Sequence, residues 1–180
     1  LTKNKHEAAC NFVRVDVIRW WLVDGLAVGA EGPTARWPQI GRNGLIQFAL
    51  NHMTVAQLSF VELVDLAAKL GCVGIEVRND LPQPLFDGLD PETAGGMVRD
   101  AGLRLLTVAE VKRFNDWSEA KASEALALIE VAQVAGAEAV SLIPRNDSQG
   151  MGNGERQAAL RVALKALKPM LEDHDLIGLV

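Results

Sequence analysis

From residue 46 onward, short apolar runs alternate with longer stretches whose apolar residues recur every three or four positions. The runs cover 46–51, 73–78, 103–108, 139–143 and 176–180, and each reads as a strand buried on both faces. Between the first two runs, Ser59 and Glu62 have the spacing of a capping box. Phe60, Leu63, Val64, Ala67 and Leu70 then follow at helical spacing, and Gly71 supplies a left-handed stop. Asp90 followed by Pro91 opens a second helix, which Gly102 ends. Ser118 opens a third, running to about residue 135 with Gly136 behind it. A fourth spans about 155–172, and Pro169 is expected to disturb its last turn.

The strand starts lie 27, 30, 36 and 37 residues apart, room each time for a strand, a helix and two loops. The order βαβαβαβαβ predicts an α/β fold with a parallel sheet and right-handed crossovers. Two architectures satisfy it. One is a five-stranded doubly wound sheet. The other is about the first half of a TIM (β/α)8 barrel, truncated in strand 5, because a closed barrel takes roughly 250 residues. No G-x-G-x-x-G follows the first strand and no G-x-x-x-x-G-K-[ST] occurs, so nucleotide fingerprints do not support the open sheet. Gly150, Gly152 and Gly154 sit between a strand and a helix, where backbone N–H groups can face an anion. They lack the Lys of a phosphate loop, and a plain βα connection and an anion loop both stay open.

Residues 1–45 break the pattern. They hold three of the four Trp (Trp20, Trp21 and Trp37), and 29–44 is rich in Gly and Pro. Residues 12–23 suit a short helix or a strand equally. The expectation is a leader outside the domain of residues 46–180, so that a chain trimmed to begin near Gly44 folds no worse than the whole.

The net charge of -5, without a run of Lys or Arg, argues against a nucleic-acid partner. The absence of Tyr leaves few rings for base stacking. The most apolar early stretch, 17–30, is interrupted by Arg19 and Asp24, is too short to cross a bilayer and lacks the order of a secretion signal. Cys10 and Cys72 form no C-x-x-C pair and read as reduced thiols of a cytoplasmic protein.

Functional groups of parallel α/β folds gather at the C-terminal ends of the strands. Those ends carry Asn51-His52, then Glu76 with Arg78-Asn79-Asp80, then Glu110 with Lys112, then Arg145-Asn146-Asp147. Glu76 and Arg78 are two apart and share a face. They either pair with each other or hold a polyol or keto group by directional hydrogen bonds. His52 is a candidate acid/base, or a polar residue satisfied by a neighbouring strand end. His6 and His174 read as solvated, and Glu110 and Asp147 as solvated or loop-structuring carboxylates. No short ligand spacing recommends a metal site.

The stretch Phe48-Ala49-Leu50-Asn51-His52-Met53 and the element Leu70-Gly71-Cys72-Val73-Gly74-Ile75-Glu76-Val77-Arg78 resemble the opening of xylose isomerase-like TIM barrel proteins. Within these the likeness is to the inosose (2-keto-myo-inositol) isomerase-like proteins of inositol catabolism. Phe114-Asn115-Asp116-Trp117 and Ala135-Gly136-Ala137-Glu138-Ala139-Val140 fit the same pattern, and the resemblance covers about 46–180. It implies a metal-dependent parent that isomerises an inosose or related keto-sugar. One divalent ion (Mn, Mg, Co or Zn) would be held by Glu, Asp, His and Glu from the fifth and later strands. The first of these is expected just past Val180, so no ligand carries over, and the chain by itself is expected to be inactive and without a metal. The substrate-facing set does carry over: Asn51, His52, Glu76 and Arg78. The implied partner is a small polyol or keto-sugar, and open sheet edges are expected to self-associate. Two alternatives are a non-catalytic truncated fragment and a metal-dependent abasic-site endonuclease-like protein. The acidic balance argues against the second.

Overall fold

The computed structural model describes residues 47–145 and 152–180. It contains strands β1 (Ala49–Asn51), β2 (Gly74–Arg78), β3 (Arg104–Lys112), β4 (Ala139–Ile143) and β5 (Ile177–Leu179). Between them lie helices α1 (Phe60–Lys69), α2 (Pro91–Asp100), α3 (Glu119–Ala135) and α4 (Asn153–Asp173). The expected leader, Ile46, Asn146, Asp147 and Gly150 fall outside the described residues.

All neighbouring strands pair in parallel, and their order across the sheet is β1-β2-β3-β4-β5. A doubly wound sheet reverses its strand order at a switch point, whereas a barrel lays each strand beside the last. The sequential order therefore decides between the two architectures. The described residues form a partial TIM barrel.

Local sequence explains the helix ends. Ser59 Oγ accepts from the Glu62 N–H at 3.3 Å, and Glu62 Oε2 takes the Ser59 N–H at 2.8 Å, completing the capping box of α1. Asp90 Oδ1 accepts from Thr93 N–H at 2.9 Å, with Pro91 in the first helical position of α2. Ser118 caps α3, and Gly136 ends it at φ +72°. Two sequence expectations are modified. Leu70 is 46% exposed, because α1 ends at Lys69 and Leu70 stands past the last turn that packs on the sheet. Helix α4 continues through Pro169 to Asp173. The carbonyl that loses its donor belongs to exposed Lys165, which water can satisfy, while Leu167 and Leu171 on the other side are buried.

One apolar core joins Leu50, Ile75, Val77, Val140 and Leu142 of the strands to helix residues such as Phe60, Leu63, Val98, Ile129 and Leu167. A 3-10 turn at Leu85–Gly88, which the apolar periodicity does not announce, adds to it. Its Phe86 meets Phe60 edge-on at 5.2 Å, and Asp87 Oδ2 accepts the Phe60 N–H at 2.6 Å. Cys72 is a buried thiol. His174 is half-buried rather than solvated, and its Nδ1 donates to the Met170 carbonyl at 2.7 Å. No helix among the described residues is long and apolar enough to cross a membrane.

Candidate functional site at the strand ends

Alternation along β2 sends Ile75 and Val77 into the helix-packed core and leaves Glu76 and Arg78 on the opposite face. Strand β3 breaks its alternation twice. Ile75 pairs with Leu105 but Glu76 with Thr107, so Leu106 is an extra residue against β2. Ala109 pairs with Ser141 but Val111 with Leu142, so Glu110 is an extra residue against β4. Such bulges re-aim side chains. Here the second one delivers the Glu110 carboxylate to Arg78.

Arg78 is the centre of the cluster. Its Nε donates to Asp80 Oδ1 at 2.8 Å and its Nη2 to Asp80 Oδ2 at 2.9 Å, a bidentate fork. The same Nη2 donates to Glu110 Oε2 at 2.8 Å, while Nη1 lies 3.7 Å from Glu76 Oε1. Lys112 Nζ sits 3.1 Å from Asp80 Oδ2 and 3.4 Å from Glu110 Oε1. Glu110, read from the sequence as a solvated or loop-structuring carboxylate, is buried rather than solvated. The bulge that turns it inward leaves no trace in composition or spacing.

Asn51 fixes Glu76 from the first strand. Its Oδ1 accepts the Met53 N–H at 2.8 Å, which leaves Nδ2 to donate to Glu76 Oε1 at 2.6 Å. The two flanking carboxyls are driven in opposite directions. Hydrogen bonding to Arg78, with help from Lys112, holds Asp80 down at about 2. Burial pushes Glu76 above the ordinary glutamate value, outweighing the attraction of Arg78 and the Asn51 hydrogen bond.

The structure thus brings Asn51, Glu76 and Arg78 together, and adds Asp80, Glu110 and Lys112. His52 stands apart from them in its bonding. It is buried, and its Nε2 donates to the Leu58 carbonyl at 2.9 Å. Gln83 Nε2 donates to the same carbonyl at 3.2 Å and to that of Ala56 at 3.1 Å. The imidazole therefore closes the turn after β1, and among the described residues no hydrogen bond links it to the Arg78 cluster.

Two asparagines carry structure that residue typing alone does not reveal. Asn79 Oδ1 accepts the Glu110 N–H at 2.8 Å and its Nδ2 donates to the Glu110 carbonyl at 3.2 Å. Buried Asn115 accepts the Arg145 N–H at 2.6 Å. With Asn51, each stands at or just past a strand end and reaches to the next strand's end. At the start of α4 the Gly152 N–H donates to Glu155 Oε2 at 2.9 Å, so the chain's own carboxylate takes that donor.

The divalent ion that the resemblance implies does not fit these side chains. Among the described residues no three His, Cys, Asp or Glu are grouped to hold a metal. The carboxylates are instead organised around a guanidinium, which already supplies their positive charge.

No protein-family model matches the sequence, and no curated protein matches it. Solved structures do match. A xylose isomerase domain containing protein from Salmonella typhimurium LT2 is 26% identical with a TM-score of 0.66, over 72% of this chain and 47% of that one. The IolI protein with a bound zinc atom is 18% identical with a TM-score of 0.63, over 72% and 49%. D-psicose 3-epimerase, solved in the presence of D-fructose, is 14% identical with a TM-score of 0.54, over 72% and 50%. The chain spans about half the length of these proteins. Its structural neighbours are xylose isomerase-like TIM barrel proteins of the sugar isomerase and epimerase type, and it shares about half of their fold.

Proposed function

We propose that the described strand ends are the sugar-holding part of a keto-sugar isomerase of the inosose type, working in the cytoplasm. The observation that carries this reading is the Glu76–Arg78–Glu110 array, flanked by Asn51 and Lys112. Vicinal hydroxyls each donate and accept a hydrogen bond. An array that alternates carboxylate acceptors with guanidinium and ammonium donors matches them and fixes their orientation. Glu76, whose carboxyl burial pushes upward, is the member suited to share a proton with a substrate oxygen. Arg78 stays charged and orients an oxygen of the sugar.

On this reading the 180-residue chain binds the sugar and does not turn it over. No step assigned to the described residues runs through a metal. The edge strands β1 and β5 are expected to pair with further strands or with a second chain, which sedimentation across a concentration series would detect. The net charge of -5, without a run of Lys or Arg, disfavours the endonuclease alternative.

The test is titration of the chain with inosose and with D-fructose, followed by amide and carboxyl NMR, alongside isomerase turnover. Shifts centred on Glu76, Arg78 and Glu110 that vanish in Arg78→Met support the reading. Spectra unchanged by either sugar at high concentration would overturn it.

A further inference from the structure

A bulged residue loses its place in the ladder, so its N–H and C=O need other partners. At Glu110 both are taken by one side chain. The Asn79 carboxamide accepts the Glu110 N–H at 2.8 Å and donates to the Glu110 carbonyl at 3.2 Å, while the Asn79 N–H donates to the Ala109 carbonyl at 2.7 Å. A carboxamide carries the donor and acceptor of a peptide group. Asn79, one residue beyond β2, therefore continues the strand's hydrogen bonding with its side chain. Asp lacks the donor, Ser is too short for both bonds, and Gln places the amide one carbon too far.

We propose that Asn79 is a positioning residue for Glu110. It holds the bulge in register so that the Glu110 carboxylate stays against Arg78 as a second acceptor for the sugar. Without it, the bulge can relax by one residue, and a one-residue slip turns a strand side chain to the other face. The role toward sugar rests on the proposed function. The role toward the Arg78–Glu110 contact does not.

The experiment is nitrogen-15 NMR of the Arg78 guanidinium in the full chain, without ligand. With Nε and Nη2 held by Asp80 and Glu110, slow guanidinium rotation and separate Nη signals are expected. The Asp80 fork remains in either variant, so Asn79→Ala should shift the Nη2 signal and speed the rotation only as far as Glu110→Ala does, and the double variant should add nothing to Glu110→Ala. Asn115→Ala, which removes the corresponding asparagine one strand later, should leave them as they are. If Asn79→Ala does not fold, Asn79→Asp, which keeps the acceptor and loses the donor, reads the same signals. A folded variant with wild-type Arg78 signals, or a wild type without slow rotation, overturns the proposal. Inosose titration then separates the two ideas. At least fivefold weaker binding in Asn79→Ala, with no added effect in a Glu110→Ala background, is expected. Altered Arg78 signals without any inosose binding would leave Asn79 in place and remove the sugar reading.

Discussion

Arg78 and Glu110 lie on adjacent strands and 32 positions apart in sequence, yet the guanidinium Nη2 and the carboxylate Oε2 are 2.8 Å apart. The Glu110 side chain keeps only 6% of its exposure, so the contact is shielded from solvent. Removing one partner of such a pair leaves an uncompensated charge. Arg78→Met should cost about 3 kcal/mol of stability at neutral pH, since it leaves Asp80, Glu76 and Glu110 with only the exposed Lys112 ammonium beside them. Urea unfolding at pH 7 and again near pH 4.5 checks this. The loss should shrink at the lower pH, where protonation relieves the repulsion; an equal loss at both would mean that packing, not charge, explains Arg78.

Asp80 titrates at about 2 in the folded chain because Arg78 and Lys112 hydrogen-bond its charged form. A carboxyl depressed on folding contributes its stability above the unfolded value of about 4, and the contribution is lost as pH falls toward the folded value. Solvent screening reduces the gain to on the order of 1 kcal/mol. Asp80→Asn should therefore lower the unfolding midpoint at pH 6 and have little effect near pH 2. A variant penalty that persists undiminished at pH 2 would rule out the ionic account.

Glu76 has the opposite sign. Burial raises its folded value, so its ionised form is disfavoured in the folded chain, and it subtracts stability as pH rises above the unfolded value of about 4.5. Glu76→Gln keeps an acceptor for Asn51 Nδ2 and removes the buried charge. The variant should be as stable as the parent near pH 4 and more stable at pH 7, measured by paired denaturant titrations. If the sugar site is real, the same variant binds inosose more weakly, so stability and binding move in opposite directions, as expected of a functional carboxylate. A Gln variant less stable at pH 7 would show that the Arg78 attraction outweighs burial.

The fold was legible because its signals are local and repeated. Ser59 with Glu62, Asp90 with Pro91, and Ser118 with Gly136 mark helix ends whatever the tertiary structure. The apolar pattern alone left an open sheet and a barrel both standing, because that choice depends on which strands become neighbours; the resemblance of 48–53 and 70–78 pointed to the barrel, and the sequential strand order agrees with it. At the site, the face shared by Glu76 and Arg78 followed from their spacing. The inward turn of Glu110 did not, because it rests on a one-residue slip between β3 and β4 that only pairing reveals. His52 illustrates the limit of residue type. An imidazole at a strand end suggests acid/base chemistry, while its position under the Leu58 carbonyl is set by the turn that follows. The roles of Asn79 and Asn115 are backbone recognition by side chains, invisible without the third dimension.

Two adjacent glycines in α2 should respond to the same substitution with opposite signs. Gly95 faces α3 where the two helices cross, and a Cβ there would fall on the Ala135 carbonyl, 2.7 Å from its carbon. The obstacle is backbone, held in place by the end of α3 and Gly136, so it cannot swing aside. Gly96 points elsewhere, with only Arg99 Nη2 at 3.9 Å. Alanine in place of glycine inside a helix gains about 1 kcal/mol from backbone entropy. Overpacking a fixed contact costs about 1–3 kcal/mol. At Gly95 the second effect should win, or at best cancel the first, and force α2 away from α3. At Gly96 nothing opposes the first. Gly95→Ala should therefore lower the urea midpoint and Gly96→Ala should raise it, in the same chain and buffer. Stabilisation by both would mean that α2 and α3 are not in contact at Gly95, and the packing of the helices on this side of the sheet would have to be redrawn.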